Sequence, residues 1–223
     1  MGMQKEPYFT ANTIDDKSDS FLHHLASYTK RNLSTFAPKH PALLVLDMQR
    51  CFLEESSHAF IPSSLAIVPK IKALMAAFQQ REHPVILTRH LNTDQDAHMM
   101  GRWWKDIIRE EDRSSEIIEA INTPQATAVV KKTQYDAFFK TALADTLASL
   151  NVDQLVISGV MTHLCCDTTA RSAFMRGYEV FFPVDTTATY NEELHLAAFV
   201  NLSHGAVTPL LSETILAAKG NTQ

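Results

Sequence analysis

From residue 42 onward the chain alternates two hydrophobic rhythms: short, nearly uninterrupted apolar runs rich in branched residues, and longer segments whose apolar positions recur with helical period. The runs predict strands over 42–47, 84–88, 126–131, 154–158, 178–184 and 206–210. Between them, Ile71, Leu74, Met75 and Phe78 share one face of a helix whose first turn suits Pro69. Phe139, Leu143, Leu147 and Leu150 mark another over 136–150, and Leu194, Phe199 and Val200 a third with Asn191 as its N-cap. Gly177 and Gly205 stand where helix C-caps belong. Strands without polar alternation are covered on both faces, so the pattern predicts an α/β fold in three layers, α/β/α, around a parallel sheet.

Ahead of this lies a helical extension over 1–40, with 41–223 as the main body of a single-domain chain. Thr13 caps a predicted helix, with Asp16 three residues on and Ile14, Phe21, Leu22, Leu25 and Tyr28 at helical spacing. That apolar stripe must dock either on the chain's own core or on a second copy, which makes a homo-oligomer, a dimer or larger, an expected partner state.

Composition removes several function classes. The formal net charge is −5 and the basic residues are scattered, so no stripe is offered to a phosphate backbone and no nucleic-acid partner is expected. The longest apolar run, residues 73–78, is far short of the ~20 residues that span a bilayer, and the N-terminus carries no secretory pattern; no membrane partner is expected. The six glycines make neither a dinucleotide fingerprint, a phosphate loop nor a serine-hydrolase elbow, and no cofactor is expected. Three cysteines, two of them adjacent, cannot build a disulfide framework and read as reduced thiols in a cytoplasmic protein.

In open parallel sheets, ligands bind beyond the carboxyl ends of the strands, where strand order reverses. Three reactive groups fall at such ends. Asp47 closes the first strand, Lys131 and Lys132 the third, and the fourth runs through Ser158 and Gly159 into a turn that carries Cys165 and Cys166 at the start of a helix. A helix N-terminus favours a thiolate, an Asp can take the thiol proton, a Lys can orient the pair, and turn amides can hold an oxyanion. Singly, each has a plain structural role: a turn former, a solvated lysine, a small buried hydrophobe. Cys166, about 100° further round the helix, and Cys51 fit that last role. Core packing gives no reason for all three groups to converge, and their joint placement favours a small-molecule catalytic site.

At these residues the sequence resembles the isochorismatase-like hydrolase superfamily, which includes nicotinamidases and N-carbamoylsarcosine amidases. The resemblance lies in ALLVLDMQRCF (42–52), VVKKTQYDAFFKTAL (129–143) and SGVMTHLCCDTTARSAFMRGYEVFFPVD (158–185), in order, covering about 42–210. It implies a six-stranded parallel sheet of order 3-2-1-4-5-6. It also implies a catalytic triad of Asp47, Lys132 and Cys165, and a cis peptide between Val160 and Met161 that aims the backbone amides of Met161 and Cys165 at an oxyanion. The N-terminal YFT and helix resemble the isochorismatase branch. True isochorismatases, however, commonly carry Gly at the position of Cys165 and cleave a vinyl ether by protonation from the Asp. The thiol here points instead to amide or carbamoyl C–N bonds. Nicotinamidases hold a metal through Asp-x-His and a further His. Glu54, Glu55, His58 and His90 do not reproduce that motif, and Asp94, Asp96 and His98 read as a solvated loop, so no metal is expected.

The segment after the second strand, TRHLNTDQDAHMMGRWWKDIIRE, is placed to wall the pocket. His90, Arg102, Trp103 and Trp104 are its candidate substrate-binding residues, with His163 from the turn. At helical spacing Trp103 or Trp104 equally fits the core, Arg102 equally fits an ion pair, and His163 equally fits a hydrogen-bonded turn. Three functions stay open on sequence: a cysteine hydrolase, an isochorismatase with Cys165 as bystander, and a non-catalytic binding protein on the same fold.

Overall fold

The run Pro41–Leu46 has every side chain buried, as a strand must when it lies at the centre of a sheet covered on both faces. In the computed structural model, which describes residues 4–29, 35–37, 39–104 and 106–218, this run is β1. It pairs in parallel with β2 (Val85–His90) on one side and β4 (Gln154–Val160) on the other. β3 (Ala128–Lys132), β5 (Glu179–Pro183), a two-residue β6 (Thr187–Ala188) and β7 (Thr208–Leu210) complete the sheet. Its order is β3-β2-β1-β4-β5-β7, with β6 added beside the end of β4. The expected six-strand order is therefore present, and β6 makes a seventh strand. At two residues, with Thr187 as one of them, β6 is too short to stand out by hydrophobic period.

The helices are α1 (Ile14–Leu25), α2 (Arg50–Leu53), α3 (Ser64–Gln80), α4 (Met99–Trp103), α5 (Leu143–Ser149), α6 (Asp167–Met175), α7 (Glu192–Gly205) and α8 (Ser212–Ala217). Asn191 caps α7, its side chain accepting from the backbone N–H of Leu194. Gly177 follows α6 with φ +90, the left-handed exit expected of it. Gly205 is instead the last residue of α7, and Ala206 ends the helix at φ −144 and ψ −24, outside the left-handed region.

Two helices depart from their predicted bounds for local reasons. α3 starts at Ser64, so Pro69 lies inside it. The carbonyl that Pro69 leaves unbonded, four residues back, belongs to Leu65, a residue on the exposed face of the helix at 52% exposure. α5 covers only the end of 136–150. Asp136 Oδ1 captures the N–H of Phe138 at 2.8 Å, Asp136 Oδ2 accepts from Ser172 Oγ at 2.8 Å, and Lys140 takes a left-handed φ of 53. That turn delays the helix and leaves Phe139 and Leu150 exposed.

α1 docks on the chain's own core, with Ile14, Phe21 and Leu25 in the same buried cluster as the strands, while Tyr28 stays exposed. Residues 1–3, 30–34 and 38 of the predicted extension lie outside the described residues. No described helix is long and apolar enough to cross a membrane.

The chain reverses at β1: β2 and β3 extend one way, β4, β5 and β7 the other. β1 and β4 approach so closely at their carboxyl ends that Gly159, paired with Leu46 at φ +110, has no room for a side chain. A Cβ there would sit 2.1 Å from the Leu46 carbonyl oxygen. Gly159→Ala is expected to cost at least ~4 kcal/mol or to abolish folding, read by urea denaturation. A loss below about 1 kcal/mol would contradict the required close approach.

Candidate active site

Each strand around the reversal delivers a polar group at its carboxyl end. Asp47 follows β1 directly with φ 52, Thr88 and His90 close β2, Lys132 closes β3, and β4 runs into Met161 through a cis Val160–Met161 peptide. A single π-helical turn, Thr162–Cys166, then leads into α6; the N–H of Cys166 reaches back five residues to the Met161 carbonyl at 3.2 Å. Cys165 stands in this turn.

The structure brings Asp47, Lys132 and Cys165 into contact. Lys132 Nζ is 2.7 Å from Asp47 Oδ2 and 3.3 Å from Cys165 Sγ. It also donates to the Gln134 carbonyl at 3.0 Å. Thr88 Oγ1 donates to Asp47 Oδ1 at 2.6 Å and accepts from the Asp47 N–H at 3.1 Å, which fixes the carboxylate against the sheet. Lys131 takes the other face of β3, where it is exposed and pairs with Glu110. The strand's alternation therefore separates the two lysines.

Burial of such a cluster decides its protonation. Burial would raise the Asp47 carboxyl, but the Lys132 ammonium, His90 and the hydrogen bonds from Lys132 and Thr88 outweigh it and hold the group below its ordinary range. Burial would lower Lys132, and Asp47 and Cys165 instead raise it. For Cys165 burial dominates: the thiol is pushed up to about 12, with Lys132 pulling down and Asp47 pushing up. The helix N-terminus therefore does not yield a resting thiolate. The resting state is a carboxylate, an ammonium and a protonated thiol.

His90 lies against this cluster, buried and neutral, its pKa lowered to about 4 by burial and by Lys132. Its Nε2 is 2.9 Å from Asn92 Oδ1 and its Nδ1 3.4 Å from Lys132 Nζ. A neutral ring that donates from Nε2 to the amide oxygen is left to accept from the lysine at Nδ1. The Gln49 side chain holds the His90 backbone at both ends, Oε1 accepting from its N–H at 2.7 Å and Nε2 donating to its carbonyl at 3.0 Å.

Cys165 opens onto a cavity of 310 Å³. Phe52, Met100, Trp104, Tyr135, Leu164 and Tyr190 form much of its wall, with His90 and Asn92 as polar points and Met161 beside the thiol. Trp104 Nε1 donates to the Tyr135 hydroxyl at 2.7 Å. Asp47 and Lys132 sit behind Cys165, at 0% and 1% exposure, and do not line the cavity.

Other candidates lie elsewhere. Trp103 is 73% exposed and Arg102 lies on the surface beside Met99, both outside the cavity wall; the tryptophan that faces in is Trp104. His163 is held by Thr189 Oγ1 at 2.7 Å, also outside the wall. Cys166 is buried in the core, whereas Cys51 is a buried thiol in the cavity wall. Thr88 was discoverable by the same strand-end criterion that singled out Asp47; Asn92, Tyr135 and Tyr190 come from loops without a periodic signal.

No group of three or more His, Cys, Asp and Glu side chains stands together among the described residues in a way that could hold a metal ion. His90 faces an ammonium, Asp94 pairs with Arg109 at 2.7 Å, and Asp96 accepts from Asn92 and from the Thr93 N–H. These residues do not fit a metal centre.

The family model of the isochorismatase domain matches residues 41–214. The chain is 41% identical over 174 residues to nicotinamidase 3 of Arabidopsis thaliana, covering 75% of this chain and 82% of that protein. Among solved structures, a cysteine hydrolase from Pseudomonas syringae pv. phaseolicola superposes with a TM-score of 0.80 at 23% identity, covering 84% of this chain and 97% of that one. A pyrazinamidase from Pyrococcus horikoshii in complex with zinc gives 0.70 at 23% identity, covering 78% and 99%. At these identities the two structures speak for the fold alone.

The charge arrangement gives a signed expectation. Asp47→Asn removes the negative charge that opposes thiol ionisation and leaves Lys132 to favour it. The midpoint of Cys165 alkylation by iodoacetamide, followed against pH, should then fall from about 12 toward the ~8.5 of a free thiol. An unchanged or higher midpoint would contradict this electrostatic picture.

Proposed function

The chain belongs to the isochorismatase family, and from that premise we propose that it is a cysteine hydrolase that cleaves the C–N bond of a small, flat amide or carbamoyl compound, with nicotinamide as the first substrate to test. The observation that carries this reading is which of the three grouped residues meets the cavity. Cys165 does, while Asp47 lies behind it. Vinyl-ether cleavage by acid from the Asp needs no nucleophile and would leave that cavity-facing thiol without a role.

In this mechanism Asp47 accepts the Cys165 proton as Sγ bonds to the carbonyl carbon, so the thiolate forms only as it is consumed. Lys132, ion-paired to Asp47 and donating toward Sγ, stabilises the negative charge on sulfur and holds both partners in line. The carbonyl electron pair moves onto oxygen, toward the backbone amides of Met161 and Cys165. When the tetrahedral intermediate collapses, the C–N bond breaks and Asp47 returns its proton to the departing nitrogen. Water, deprotonated by Asp47, then attacks the thioester; acid leaves and the thiol is restored. A 310 Å³ cavity lies at the low end of ligand pockets, ~300–1,000 Å³, which suits a one-ring substrate, with Trp104 and Tyr135 as flat faces.

Ammonia release and intact mass after incubation with nicotinamide and a panel of small amides and carbamoyl compounds test the reading. A transient acyl adduct on Cys165 is expected, and Cys165→Ala should lose the adduct and at least ~10³-fold of the rate. Isochorismate cleavage retained by Cys165→Ala and lost in Asp47→Ala would establish the vinyl-ether chemistry instead. No turnover across the panel or of isochorismate would leave a binding protein.

A further inference from the structure

The structure contains a buried titratable group that this mechanism does not use. His195, on α7, is fully buried among Tyr8, Phe9, Phe21 and Phe199. Its Nδ1 lies 3.0 Å from the Tyr8 hydroxyl and 3.1 Å from Thr162 Oγ1. Tyr8 precedes the region matched by the family model, whereas Thr162 opens the π-helical turn that carries Cys165 and follows Met161, whose amide belongs to the proposed oxyanion site.

The N-terminal segment grips the same region from a second side. The Tyr8 hydroxyl accepts from the Thr189 N–H at 3.0 Å, which leaves its own proton for the imidazole. The Glu6 N–H donates to the carbonyl of Tyr190, a cavity-wall residue, at 2.8 Å. Asn191 Nδ2 donates to the Gln4 carbonyl at 3.0 Å, and the Glu192 N–H to Glu6 Oε1 at 3.0 Å. Thr189 Oγ1 in turn holds His163 of the nucleophile turn at 2.7 Å. Residues 4–8 thus fasten the 189–192 segment, and both Tyr8 and that segment fasten the turn.

We propose that residues 4–9 are a positioning element of the site, acting on the nucleophile turn through the hydrogen-bonded chain Tyr8–His195–Thr162, in which both hydroxyls donate to the one Nδ1 lone pair of the imidazole. The burial of His195 keeps its imidazole neutral, so the chain carries geometry rather than charge. None of the three residues touches substrate. They fix the turn from which Cys165 must present its proton to Asp47, and a turn free to shift by a fraction of an ångström loses that alignment.

The proposal rests on Cys165 being the nucleophile, and the test separates the two. The second-order rate of Cys165 alkylation by iodoacetamide is measured against pH with peptide mapping, using Cys51 and Cys166 as internal controls, for wild type, Tyr8→Phe, Thr162→Val, Thr162→Ser and the Tyr8→Phe/Thr162→Val double variant. Tyr8→Phe and Thr162→Val should each slow labelling of Cys165 about tenfold, the worth of one well-placed hydrogen bond. The double variant should be no slower than the worse single one, because both break the same chain. Thr162→Ser, which keeps the hydroxyl, should restore the wild-type profile. Lys17→Ala, which removes the surface pair with Glu192 and leaves the chain intact, should label like wild type. Faster labelling of Cys51 and Cys166 together with Cys165 would mark loosened folding and overturn the positioning role, as would additive effects or unchanged rates. The labelling differences above, together with no acyl adduct on Cys165 from any of the amide and carbamoyl compounds, would overturn the nucleophile reading alone.

Discussion

A lysine ammonium with no access to water must find its solvation inside the protein, and Lys132 is such a group. Isolated burial of that charge would cost several kcal/mol. The Asp47 carboxylate at 2.7 Å, the Gln134 carbonyl, the neutral His90 ring and the Cys165 thiol supply what water would have supplied. Because the pair is buried on both sides, each partner requires the other, and deleting either would strand a charge at a cost of ~3–5 kcal/mol. The pH dependence of stability has two edges for this reason. Asp47 is held below its unfolded value, so its contribution is present above ~4 and drains as pH falls through the folded value. Lys132 is held above its unfolded value, so its contribution is present below ~10.4 and drains as pH rises through the folded value.

The sheet is what makes this pairing possible. Asp47, Thr88 and Lys132 come from three consecutive places in the order β1, β2, β3, and the register His90 to Lys132 brings the imidazole beside the ammonium. Cys165 arrives from the other side of the reversal, after β4. The close contact of Gly159 with Leu46, the residue directly before Asp47, therefore helps to set the separation between Cys165 and Asp47. Packing at the backbone level and reactivity at the site are here one constraint.

Most of the sheet could be read directly, because its strands are buried on both faces and announce themselves as apolar runs; β1 and β4 emerge within one to two residues of expectation. The helix over 136–150 could not, since its period was sound while an Asp136 side chain competing for backbone N–H groups was invisible to it. At the site, strand-end residues were readable by position, and Lys132 was separable from Lys131 only through family resemblance. Loop residues were not: Trp103 and Trp104 are neighbours of one type, and only the turn of α4 decides which faces the cavity. The contact of Tyr8 with His195, 187 residues apart, has no local signature at all.

Cys165 at rest carries its proton, and this has a bearing on the protein's life in an oxidising or electrophile-rich cell. Peroxides and soft electrophiles attack thiolates in preference to thiols, so a constitutively ionised cysteine is exposed to sulfenic and irreversible sulfinic damage between turnovers. In the proposed mechanism the thiol ionises only while a carbonyl is in place, and so offers such reagents little to consume. The same burial that slows its ionisation in the empty site thereby lengthens the service of the residue, and its reactivity is reserved for molecules able to enter a narrow, largely apolar chamber.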